Sequence, residues 1–124
     1  MNSSSELVSA YLRHFRTKDD SLSWAWAAVD DAMHELQSGL SLCLELIEAT
    51  ESEEELAYVA AGPLEDLLVR VGALAANALE IPVRQSVKAR LALSCVFLNP
   101  EAAAYQKWNY LIQQYSCKSA RVGL

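Results

Sequence analysis

Apolar positions recur along most of this chain at the 3.6-residue spacing of an α-helix. Val8, Tyr11, Leu12 and Phe15 stand at i, i+3, i+4 and i+7. Ahead of them Ser3-x-x-Glu6 forms a capping box, in which a serine oxygen and a glutamate serve backbone donors that have no partner within the helix. The polar run RTKDD, residues 16–20, ends this first helix. Leu22, Trp26, Val29, Met33 and Leu36 then step by four, three, four and three, which predicts a second helix closed at Ser38-Gly39. Trp24 lies about 200° round that helix from Trp26, so one ring is expected in the core and the other over a neighbouring helix or in solvent. Residues 40–49, LSLCLELIEA, are apolar on nearly all sides, as in a helix wedged between others. A second capping box, Ser52-x-x-Glu55, opens the next segment, with Leu56, Val59 and Ala60 turned inward.

Gly62-Pro63 falls inside this helical pattern and predicts a sharp helix–helix corner. Gly62 would end one helix, and Pro63 would open another at the position where its missing N–H removes nothing. Glu65 and Asp66 would then occupy a first turn, where the helix dipole favours ionised carboxylates. Leu64, Leu67, Leu68 and Val71 would form the inner face, and Gly72 the stop. Downstream, Ile81-Pro82 predicts a helix carrying Val83, Val87, Leu91, Ser94 or Cys95, and Leu98 on one stripe. Asn99-Pro100-Glu101 predicts the opening of a last helix with Ala104, Trp108, Leu111, Ile112 and Tyr115 inward and Tyr110 pointing elsewhere. The expected fold is all-α, a compact orthogonal bundle or a HEAT-like stack of about seven short helices joined by tight connections. Residues 1–115 make one domain and residues 116–124 a loose tail.

Composition agrees and narrows the setting. With 124 residues, 52% apolar and 21% charged, the chain is long enough for one sizeable core. Its start has no secretory pattern, and its longest nearly apolar run, residues 91–98, falls far short of the ~20 residues that cross a bilayer. A cytoplasmic protein is expected. Cys43, Cys95 and Cys117 form no CxxC pair; Cys43 and Cys95 sit in apolar helical runs and are expected as small core residues.

At LAYVAAGPLEDLL the chain resembles a bacterial family of small domains of unknown function that carries the AGPLEDLL signature, here Ala61 to Leu68. The resemblance covers residues 20–98, including Trp24, Trp26, Val29, the LELIEA helix and Gly72, with the segment from Pro100 as an addition. It implies a fold and a bacterial origin, not a chemistry.

Charge supplies the one strong asymmetry. Residues 19–69 hold 13 acids and no Lys or Arg, whereas residues 70–124 hold seven basic residues and two acids. Glu55, Glu65 and Asp66 have local capping roles. Asp30, Asp31, Glu35, Glu48, Glu51, Glu53 and Glu54 are freer, and they are the candidate surface for a cationic protein partner. Arg84 and Lys88 stand at i, i+4, but without an aromatic platform or a glycine loop they do not predict nucleic-acid binding. Asp31-x-x-His34 echoes the carboxylate–histidine spacing of di-metal bundles but lacks the second copy such sites need, so no metal and no cofactor is expected. Phosphate-loop and nucleophile motifs are missing.

These features predict a non-enzymatic protein-binding domain, most concretely an immunity-type protein that neutralises a cognate toxin, a basic nuclease in its sharpest form. The alternative is a structural or self-associating helical scaffold, monomeric or dimeric. An enzyme using Asp31, His34, Glu35, Glu65 or Asp66 ranks behind both.

Overall fold

The computed structural model describes residues 4–115, and these form an all-α bundle. Helix α1 spans Ser4–Thr17 and ends at Lys18, whose left-handed backbone (φ 58°) lets its N–H return to the His14 carbonyl. A short 3₁₀ turn, Asp20–Leu22, leads into α2, Ser23–Ala32, and a tight turn joins α2 to α3, Leu36–Ala49. Then follow α4 (Glu53–Val59), a π-helical turn (Ala60–Leu64) and α5 (Glu65–Val71). Helices α6 (Ala73–Ala78), α7 (Glu80–Gln85), α8 (Val87–Ser94) and α9 (Tyr105–Tyr115) complete the described chain. Helices α4 and α5 form one rod, and α6 and α7 join through Leu79, itself in helical conformation. Seven main rods result, the number the pattern predicts.

Helix α3 is the centre. It packs against α1, α2, α4, α5, α6 and α8, which is why its sequence is apolar nearly all round. Leu46 and Ile47 are sealed from solvent, each contributing about 1.5–3 kcal/mol by burial. Cys43, fully buried as expected, sets its Sγ 3.5 Å from the Met33 Sδ, and burial pushes its thiol pKa up to about 12. The remaining side of α3 is an outer stripe of Gln37, Ser41, Glu45 and Glu48.

Several boundaries differ from the sequence expectation, each for a local reason. The second helix does not run to Gly39. It stops at Ala32, and α3 starts after Glu35, which is extended (φ −132°, ψ 137°). Gly39 lies inside α3, where it provides closeness rather than a stop. A Cβ there would stand 2.6 Å from the Leu67 Cδ1 and 3.1 Å from the Ala32 carbonyl oxygen. The helix predicted after Ile81 is two helices, split at Ser86. That residue is extended, and its Oγ caps α8 by accepting from the Ala89 N–H. Val87 therefore leaves the predicted stripe and is half exposed. At the last helix, the Asn99 side chain accepts from the Glu101 N–H in a turn, and regular helix begins only at Tyr105.

The predicted corner at Gly62, Pro63, Glu65 and Asp66 is absent. Val59, Ala60, Leu64 and Glu65 all keep helical angles, near φ −65° and ψ −45°, and the helical backbone continues through the turn without a break. Pro63 would lack a donor and would press its ring against the carbonyl four residues back. Widening that turn to a π-helix, in which the Glu65 N–H reaches the Ala60 carbonyl, accommodates the proline without a break. Gly72 (φ 82°) does end α5 as predicted.

Both tryptophans of α2 face outward, Trp24 at 42% and Trp26 at 51% exposure, because Ala25 and Val29 set the buried face. Cys95 is exposed at the end of α8, not a core residue. Cys117, Ser3 of the first capping box and the tail 116–124 lie outside the described residues.

Gly39→Ala tests the close approach. The buried Leu67 cannot swing away and the Ala32 carbonyl is backbone, so the added methyl should cost about 1–3 kcal/mol despite alanine's better helix propensity. Chemical denaturation reads this directly; an unchanged or raised stability would contradict it.

Candidate functional site

The acidic residues of the sequence do not form one surface. Asp30, Asp31 and Glu35 lie at the N-terminal end of α3, and Glu48, Glu51, Glu53 and Glu54 at its C-terminal end. At 1.5 Å per residue α3 separates the two groups by roughly 20 Å. That exceeds the Debye length of about 8–10 Å, so each group acts on a partner separately.

Of the N-terminal group, Asp30 is engaged. Arg70 binds Asp30 twice, with Nη2 2.8 Å from the carboxylate and Nη1 2.9 Å from the carbonyl, and it lies 3.3 Å from the His34 ring. Asp31 and Glu35 are exposed and make no ion pair or side-chain hydrogen bond among the described residues.

The C-terminal group is larger, because α3 adds Glu45 and α4 adds Glu55. Here Arg16, from the end of α1, clamps two loops of chain together. Its Nε pairs with Glu55, its Nη2 donates to the other Glu55 oxygen at 3.0 Å, and the same nitrogen lies 3.0 Å from Glu51. The Ser52 capping box forms in modified shape: the Glu55 N–H reaches the Ser52 Oγ at 3.1 Å, while the Glu55 carboxylate returns to the Glu51 N–H. Buried Glu55 is held below the usual carboxylate range chiefly by the Arg16 hydrogen bond. Lys88 spends its donors on the main chain, donating to the Glu48 and Thr50 carbonyls at 2.9 Å each and closing the C-terminus of α3. Six carboxylates thus meet two cations at this end. Glu53 and Glu54 are exposed and make no ion pair or side-chain hydrogen bond among the described residues.

Beside this end an open furrow of about 730 Å³ runs between α1 and α3. Val8, Leu12 and Leu44 line it together with Glu45, Glu48 and Glu51, and Ser5 and Ser9 form part of its α1 side. A second hollow, of about 630 Å³, shares Leu44 and Glu45 with it and continues towards Ser38.

Of the predicted corner residues, Gly62, Pro63 and Asp66 line one small crevice, and Glu65 lies apart from it. Glu65 accepts the Phe97 N–H at 3.0 Å and so fastens the loop after α8. Asp66 instead faces Trp26, Tyr11 and Asp30 across a crevice of about 20 Å³, far below the few hundred cubic ångströms of a small-molecule site. Burial, helped by Asp30 and Glu65 and opposed by Arg70, raises the Asp66 pKa. The expected dipole effect fails there because no helix begins at this point. Burial also raises the Tyr11 hydroxyl pKa. No group of three or more His, Cys, Asp or Glu side chains is placed to hold a metal ion, and no helix is long and apolar enough to cross a membrane, among the described residues.

A family model described as a family of unknown function, DUF6869, matches residues 13–113. The chain belongs to this family. The match runs from within α1 almost to the end of α9, so the C-terminal helix, read from sequence as part of an addition from Pro100 onward, is part of the family's domain. No curated protein and no solved structure matches the chain.

Sequence reasoning missed Glu45 and Arg16. The i, i+3 spacing of Glu45 and Glu48 on an otherwise apolar helix could have flagged the first. Nothing local signals Arg16, whose partners lie 35 and 39 residues away.

Glu55→Gln tests the clamp. Losing charge-assisted hydrogen bonds should cost on the order of 1–3 kcal/mol at neutral pH. Because the folded-state pKa of Glu55 is lowered, its contribution is complete above the unfolded carboxylate value of about 4.3 and is lost as pH falls through the folded value. The stability gap between wild type and variant should therefore be full at pH 6–7 and narrow towards about pH 3; a gap independent of pH would contradict the assignment.

Proposed function

We propose that this chain is a non-enzymatic protein-binding domain whose partner is cationic. Its most concrete form is an immunity-type protein that neutralises a cognate basic toxin in a bacterial cytoplasm, with Ala61 to Leu68 as the family's mark. The observation that carries the reading is the gathering of Glu45, Glu48, Glu53 and Glu54 at one end of α3, none in an ion pair among the described residues, where Arg16 is already committed to Glu51 and Glu55 and Lys88 to backbone carbonyls. Such a concentration of charge speeds encounter with a positive partner and selects against negative ones. Two further cations of the second half fit this reading too: Arg90 donates to the Val83 and Arg84 carbonyls, and Lys107 pairs with Glu80 at 2.6 Å.

Self-association is the second reading, and one observation favours it. Phe97 is 81% exposed and Val69 61%, and both flank Glu65. Light scattering separates the two: a stable dimer that shields Phe97 would favour a scaffold.

The principal test is association with the products of genes neighbouring its own, measured at low and high salt. The Glu45→Lys/Glu48→Lys variant should slow association at low salt by about tenfold or more, and high salt should remove most of that difference. Absence of any partner, or association indifferent to salt and to the reversal, would count against a cationic client.

A further inference from the structure

We infer that the furrow between α1 and α3 seats one amphipathic helix of the partner, its apolar stripe laid on Leu44 over the nearly buried Val8 and Leu12 and its basic flank against Glu45 and Glu48. This rests on the cationic-partner reading and adds the shape of what is bound. Three features carry it. First, the furrow has a mixed lining, apolar side chains alongside three carboxylates, which complements a helix with one leucine-type stripe and a Lys- or Arg-rich side. Second, the one cation in that lining, Arg16, is ion-paired with Glu51 and with buried Glu55, which leaves Glu45 and Glu48 as the lining carboxylates that make no ion pair among the described residues. Third, the furrow and the adjoining hollow follow α3 from Ser38 to Glu51, roughly 20 Å, the length of a helix of about four turns. Serines on its sides, Ser5, Ser9 and Ser41, let a helix backbone come close.

The exposed Trp24 and Trp26 offer a competing surface on another helix, and the test separates the two. The probe is a designed peptide of about 15 residues with leucines at i, i+3, i+4 and i+7 and lysines flanking them; its control replaces the lysines with glutamine. Amide NMR spectra of the full chain are followed as each peptide is added. Saturable shifts gathered at Ser5, Ser9, Leu44, Glu45 and Glu48 are expected, with affinity for the lysine peptide about tenfold or more above the control at low salt. Shifts gathered around Trp24 and Trp26, equal affinity for both peptides, or no saturable binding would overturn the inference.

A filling variant adds an independent arm. Ser9 is exposed, so Ser9→Trp keeps the fold, as circular dichroism verifies, while blocking the furrow; it should weaken the lysine peptide by tenfold or more. If Glu45→Lys/Glu48→Lys abolishes capture of the cationic partner while Ser9→Trp leaves it intact, the furrow inference falls and the functional reading stands. If neither variant changes capture, both fall.

Discussion

Burial of α3 on all but one stripe is the constraint on which the rest of this structure depends. A helix surrounded by α1, α2, α4, α5, α6 and α8 can carry charge only at its ends and along its open edge. Nine of the thirteen acids of residues 19–69 are distributed accordingly: Asp30, Asp31 and Glu35 before α3, Glu45 and Glu48 along its open edge, and Glu51, Glu53, Glu54 and Glu55 after it. The same crowding explains Gly39, where the backbone of α3 leaves no room for a side chain against Leu67. Packing thereby decides electrostatics: the core sets where negative potential can accumulate.

The π-helical turn is the second structural decision, and it follows from Pro63. Inserting one residue into a helical turn advances everything after it by about 100° relative to an uninterrupted α-helix. Leu56, Val59 and Ala60 face the core before the turn, and Leu64, Leu67 and Leu68 face it afterwards. Glu65 and Asp66 then fall on different sides of the rod, one fastening the loop at Phe97 and the other half-buried beside Trp26. Two adjacent acids thereby acquire different contacts.

Four cations among the described residues have structural roles. Lys88 closes the carbonyl end of α3, Arg90 binds two carbonyls near the end of α7, Arg70 holds α2 to α5, and Arg16 joins the end of α1 to the start of α4. Each gains from the partial negative charge of backbone carbonyls or from a desolvated carboxylate. The consequence is asymmetric. These four basic side chains are drawn against the fold, whereas Asp31, Glu35, Glu53 and Glu54 remain directed to solvent at two separate places.

The sequence by itself determined the fold class, the central place of residues 40–49, the inward leucines of α5, the stop at Gly72 and the Ser52 cap. All of these rest on periodicity or on hydrogen bonds spanning a few residues, which a local pattern encodes completely. Only the tertiary structure decided the rest. Whether Gly39 ends a helix or admits a neighbour depends on Leu67, and whether Gly62-Pro63 breaks a helix or widens it depends on the core on either side. That Trp24 and Trp26 both face solvent follows from α1 and α3 packing against Ala25 and Val29. The acidic segment became two clusters, one beside an apolar furrow, because distance along α3 and the reach of Arg16 across 39 residues are properties of packing, which no stretch of chain carries alone.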